Sequence, residues 1–176
     1  MTMRNLIGIA LMVTMLAAPA SATTVVKLDL EQLVERADLI AQGQVQSVYC
    51  QWDEALRLVF TYISILVDEP FKGERGQFVL IRQIGGTVGT IQMSVAGVPR
   101  FRSGETVIVF LKRQTKSTFQ VVGMNQGFYE ITEDFAVSNV SGVDLLDSKT
   151  GEITKPLIGG RAPLEQLKTK IRELVR

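Results

Sequence analysis

The order of apolar runs and turn residues predicts a mainly β protein: a small mixed β-barrel with a short helix near its start and an amphipathic helix at its end. Three observations carry this. Runs rich in β-branched and aromatic residues alternate with turn signals about every 10 to 15 residues, the spacing of short strands in barrels and sandwiches. The run Thr106–Lys112 (TVIVFLK) is nearly all apolar, as expected of a strand buried on both faces. No repeat or low-complexity linker divides the chain, so residues 23–176 read as one domain.

The elements follow in order. Residues 1–22 read as a signal peptide, with Arg4 as the positive start and Leu6–Ala18 as the apolar core. Ala20-Ser21-Ala22 supplies the small-x-small pattern for a cut before Thr23. The apolar stretch falls short of the ~20 residues of a membrane span, and Pro19 ends it. Residues 29–36 (DLEQLVER) form a short helix capped by Asp29, with Leu30, Leu33 and Val34 on one face. Residues 39–52 alternate as a strand, with Gly43 where a bulge or bend fits. A polar turn at Asp53-Glu54-Ala55 joins it to a second strand, 58–67, in a hairpin. Pro70 is expected to end that second strand, because proline cannot donate to the ladder.

Further along, 77–84 is a third strand. The glycines at 85, 86 and 89 turn the chain, and 90–95 pairs briefly. Residues 97–105 are a loop, 106–112 the doubly buried strand, and 119–124 another strand that continues or restarts at 126–131. After Glu133 the composition softens into a loose hairpin or extended arm. Residues 163–175 close the chain as an amphipathic helix, with Leu164, Leu167, Ile171, Leu174 and Val175 on one stripe and Pro at an early position.

Composition narrows the chemistry. The chain has no histidine, which removes Ser-His-Asp and Cys-His nucleophile systems and His-ligated zinc. Residues 23–176 carry equal numbers of basic and acidic side chains, against the basic excess of nucleic-acid binders. Cys50 is the single cysteine, so no internal disulfide can form. It reads either as a half-buried small hydrophobe on a strand, or as the seat of an intermolecular disulfide or a reactive thiol. Gly85, Gly86 and Gly89 lack the spacing of a phosphate loop. Asp144, Asp147 and Glu152 could together offer oxygens to calcium, although their spacing is not that of an EF-hand.

Three stretches carry a resemblance: RADLIAQGQV (36–45), YISILVDEPFKG (62–73) and GGTVGTIQMSVAGVPRFRSGETVIVFL (85–111), followed by VVGMNQGFYEI (121–131). The layout is similar to that of uncharacterised exported bacterial proteins. More remotely it resembles the netrin-like domain of tissue inhibitors of metalloproteinases. The shared pieces are Ala37-Asp38 with Gly43 and Val45, then Phe71-Lys72-Gly73, then Gly104-Glu105 before the strand at 106–111. The resemblance implies an OB-like barrel. Those inhibitors chelate the protease zinc with a cysteine at the mature N-terminus, where this chain has Thr23, so the inhibitory residues do not carry over.

The functional expectation is an exported, non-catalytic binding module without cofactor or metal. It would be monomeric, periplasmic or extracellular, with no stable membrane anchor and no nucleic-acid partner. The candidate surface is the tip Arg100-Phe101-Arg102 within a basic group that also includes Lys112, Arg113 and Lys116. Its partner would be an exported protein or an anionic surface polymer. The alternatives are a regulator of a secreted metalloprotease, which rests on the resemblance, and an enzyme with a carboxylate- or tyrosine-based mechanism.

Overall fold

The computed structural model describes residues 23–74, 76–140, 143–154 and 158–176; the expected signal peptide lies outside them. The chain is mainly β. The long hairpin dominates because its two strands are the most strongly patterned in the sequence. β1 (Thr23–Val26) and α1 (Leu30–Arg36) precede β2 (Leu39–Asp53) and β3 (Leu58–Lys72). β4 (Phe78–Ile84), β5 (Gly86–Val88), β6 (Ile91–Met93), β7 (Thr106–Arg113) and β8 (Phe119–Val121) follow. A 3-10 turn at Met124–Gly127 leads to β9 (Phe128–Thr132), β10 (Phe135–Asn139), β11 (Val143–Leu146), β12 (Ile153–Thr154), β13 (Ile158–Pro163) and α2 (Leu164–Val175).

The main sheet runs β13-β10-β9-β7-β2-β3-β4-β8, and β8 also pairs with β7. The pairings therefore trace a circuit through β2, β3, β4, β8 and β7. Its seam is narrow: β4 and β8 meet in parallel through one pair, Ile81 with Phe119. Inside this circuit lies a core that includes Val45, Ile63, Ile65, Ile81, Val107 and Val109. A second core packs α1 and α2 against the other face of the sheet, through Leu33, Ile40, Ile108, Phe110, Leu167 and Ile171. Strand β7 serves both, with Val107, Val109 and Leu111 in the first and Ile108 and Phe110 in the second. That double burial is what its unbroken apolar run implied.

Helix α1 has the expected cap. Asp29 accepts from Gln32 N–H at 2.8 Å, and the Gln32 side chain accepts in return from Asp29 N–H at 3.0 Å. At seven residues it is too short to persist alone, and burial of Leu33 and Val34 supplies its stability.

Several expectations are corrected. β3 passes Pro70 and ends at Lys72; Pro70 pairs with Ala41 beside a register slip between Ile40 and Ala41. β4 pairs with β3 only as far as Leu66, so no ladder partner lies on the other side of Pro70 to need its missing N–H. The glycine turn at 85–89 contains β5, which pairs with β6 as a small separate hairpin. The strand expected at 119–124 stops at Val121, and β9 restarts after the 3-10 turn. β1 is an element that the local pattern does not announce; it runs parallel to β11, its partner across most of the chain. The soft segment after Glu133 holds β10 and β13, which extend the main sheet, and β11 and β12, which join β1. Among the described residues no helix is long and apolar enough to cross a membrane.

Helix α2 is clamped to β3 by charge. Lys168 Nζ meets Glu69 at 2.6 Å, and Arg172 donates to the same carboxylate. Burial pushes the Glu69 carboxyl upward, but the hydrogen bonds and charges of Lys168 and Arg172 outweigh it and hold it below its ordinary 4.5. The Lys168 ammonium is raised, chiefly by its hydrogen bond to Glu69 and against the desolvation that lowers it. A lowered carboxylate contributes stability above its unfolded pKa and loses it as pH falls through the folded value; a raised lysine contributes below its unfolded pKa and loses it as pH rises through the folded one. The clamp therefore acts from about pH 5 to about pH 10. Glu69→Gln should lower stability at pH 7 by about 1 kcal/mol or less, since the pair is part-exposed. The difference from wild type should vanish in melts well below about pH 4. Melting curves that stay offset by the same amount at every pH would show that Glu69 acts by packing alone.

Candidate functional site

The candidate site is built around the segment Ser94–Glu105, which crosses one end of the strand circuit between β6 and β7. Three anchors hold it. Asn125 N–H donates to the Gly97 carbonyl at 2.8 Å. Gln83 Nε2 donates to the Pro99 carbonyl at 2.9 Å. The Phe101 ring packs edge-on against Phe128, with centroids 4.8 Å apart. Gly97 is required here: its φ is +77°, and a Cβ would lie 2.7 Å from Val143 Cγ1 and 3.0 Å from Met124 Sδ. Beyond Phe101 the segment is tied down by Glu105, which accepts from Arg102 N–H at 2.7 Å. Gly104 N–H donates to Val45 O at 2.8 Å, and Val45 N–H donates to Glu105 O at 2.9 Å.

These anchors divide the expected tip. Arg100 and Arg102 are exposed, whereas Phe101 is 8% exposed and belongs to the core inside the circuit. Placing Phe101 on the partner-binding surface is therefore corrected: the ring fills one end of the core and presents the two arginines on either side of it. The larger basic group does not assemble. Lys112 and Arg113 are the last residues of β7 and Lys116 follows them, so they lie at its far end, roughly 20 Å away along a strand rising ~3.3 Å per residue. There Arg113 lies over the Phe119 ring and meets Glu74 at 3.5 Å.

Clefts open on both sides of the segment, and Arg100 lines each. One, of about 410 Å³, lies between the β5–β6 hairpin and the inner face of β2, β3 and β4; Val48, Cys50, Gln83, Met93 and Val98 contribute to it. Its wall is closely fitted. Cys50 Sγ lies 3.4 Å from Thr61 Oγ1, and Thr61 donates to the Gly85 carbonyl at 2.6 Å. The Cys50 thiol thus faces this cleft, while its neighbour Tyr49 faces the outer sheet surface and stacks on Tyr62 at 5.2 Å.

The other cleft, of about 540 Å³, is the more polar. Arg100, Arg102, Asn125, Glu130 and Asn139 line it, over Val98 and Phe128. Asn125 is 8% exposed. Its backbone N–H donates to the Gly97 carbonyl, and the residue lines the cleft. Next to Arg102, the Glu105 carboxyl is raised above its ordinary value by burial and by the nearby Glu130 charge, against the lowering bond from Arg102 N–H. Sequence reading missed Asn125 and Glu130. Asn125 lies in the turn GMNQG, where a polar residue is ordinary, and Glu130 is a polar position on a strand.

Other candidates are placed elsewhere. The Asp147 carboxylate accepts from the N–H groups of Lys149 and Thr150 and so caps its own turn. Among the described residues no group of three or more His, Cys, Asp or Glu is placed to hold a metal ion.

Fold and site together define a mainly β protein with two arginines on an anchored segment beside a polar cleft. No protein-family model matches the chain, and no curated protein matches it.

Proposed function

We propose that this chain is an exported, non-catalytic binding module that captures an anionic partner with Arg100 and Arg102. The observation that carries the reading is the anchoring of the segment at Gly97, Pro99 and Phe101, which holds two exposed guanidinium groups over one cleft. An anchored backbone loses less freedom on binding than an untethered loop, and the planar donors of arginine suit carboxylate and related oxyanions. Export rests on the pattern of residues 1–22. A cut before Thr23 leaves every residue of β1 in place beside β11.

The test uses protein recovered from the cell envelope or medium, with an intact mass that starts at Thr23. Replacing both Arg100 and Arg102 by Ala should leave stability within about 0.5 kcal/mol of wild type, because both side chains are exposed. The double variant should lose salt-sensitive capture of acidic partners from the same compartment. Capture that is unchanged in the double variant would overturn the site.

A further inference from the structure

The polar cleft has a chemical signature beyond positive charge, and it narrows the anion. Two guanidinium groups, Arg100 and Arg102, stand over it two residues apart, about 7 Å along an extended segment. Asn125 is more than nine-tenths buried and lines the cleft. Its amide carries both a donor and an acceptor that a ligand in the cleft can use. Glu130 lines the same cleft and can only accept while ionised. A bare oxyanion such as phosphate would meet the arginines favourably and Glu130 unfavourably. A ligand that brings an anionic carboxylate together with hydroxyl donors satisfies every one of these groups. The small residues Ala96 and Gly97 leave room for a ring, and Val98 with Phe128 offers it an apolar floor. The volume, about 540 Å³, falls in the range of small-molecule sites.

We propose that this cleft binds a hexuronate unit, its carboxylate on Arg100 and Arg102 and its hydroxyls on Asn125 and Glu130. The proposal rests on the reading of Arg100 and Arg102 as an anion-capturing pair and gives that anion a chemical class. The unit can come from a free sugar acid or from a residue of an acidic polysaccharide.

Calorimetric titration of the mature protein with galacturonate, a trimer of galacturonate, galactose, glutarate and inorganic phosphate tests it. Galacturonate should bind at least about tenfold more tightly than galactose, which lacks the charge, and than glutarate or phosphate, which lack the hydroxyl pattern. A trimer that binds more tightly than the monomer identifies a polymer as the source; equal affinity per molecule identifies the free sugar acid. Arg102→Gln should weaken galacturonate by at least about tenfold without changing the melting temperature. Glu130→Gln should weaken galacturonate while strengthening glutarate, a reversal that loss of folding cannot mimic. Phosphate or glutarate binding as tightly as galacturonate, or galacturonate binding that ignores Arg102→Gln, would overturn the proposal. If no uronate binds while capture of acidic partners still depends on both arginines, the hexuronate assignment fails and the anion-binding module stands. If that dependence is also absent, both fail.

Discussion

Phe101→Ala is expected to cost about 3 kcal/mol of stability, the lower end of the range for deleting a buried phenyl ring. The ring is 8% exposed and meets Phe128 edge-on inside the strand circuit. Its removal leaves a cavity beneath the segment that carries Arg100 and Arg102. Denaturant unfolding should show the loss, and the thermal midpoint should fall by roughly 6 to 12 °C for a chain of this size. Anion capture should weaken as well, because the arginines lose the anchor between them. The contrast with the double arginine variant is diagnostic. One substitution should damage the fold and, through it, binding, and the other should damage binding alone. A Phe101→Ala protein with wild-type stability and lost capture would place the ring at the partner instead of in the core.

Gly43→Ala should be comparably damaging, at about 3 kcal/mol, although it adds a single methyl group. Gly43 lies in β2 at a register slip against β3, between Gln42 and itself. An added Cβ would fall on the backbone carbonyl oxygen of Leu66 and lie 2.7 Å from Ile65 Cγ2. A side-chain end can swing aside, but a carbonyl inside a paired strand cannot move without breaking ladder bonds. β2 is also the strand that joins β3 to β7, so strain there reaches both cores. Equilibrium unfolding of the variant measures the cost. A loss below about 0.5 kcal/mol would mean that the slip between β2 and β3 absorbs the methyl group freely.

Much of the local structure is legible in the sequence, and the reasons differ from one element to the next. α1 is readable because capping and apolar spacing are short-range and agree with each other: Asp29 with Gln32, then Leu33 and Val34. The Gly43 irregularity is readable because glycine inside an alternating strand marks a bulge, a bend or a close backbone approach. β7 is readable because an all-apolar strand needs two apolar faces to cover it. The end of β3 is misleading, since Pro70 stops a strand only where a neighbour needs its N–H, and the neighbouring strand has already turned away. β1 escapes a local reading because its partner, β11, is remote in sequence and no short-range signal announces that pairing.

At the candidate site the division is sharper. Arg100, Phe101 and Arg102 alternate in polarity, and in an extended segment that alternation already points the phenyl ring and the guanidinium groups in opposite directions. Which direction is inward depends on contacts made far along the chain: Gly97 with Asn125, Pro99 with Gln83, Phe101 with Phe128. The same contacts bring Asn125 and Glu130 into the cleft, while the length of β7 carries Lys112, Arg113 and Lys116 away from it. Gln126 shows the principle beside the site. Its amide accepts from Leu28 N–H at 2.7 Å and donates to Val26 O at 3.0 Å, joining the 3-10 turn to the segment that leads out of β1. Periodicity and capping act over a few residues, and they were enough to specify the mainly β class, the two helices and the alternation at the tip. The strand circuit, the burial of Phe101 and the membership of the cleft came from folding in three dimensions, because each is set by partners whose separation along the chain leaves no local trace.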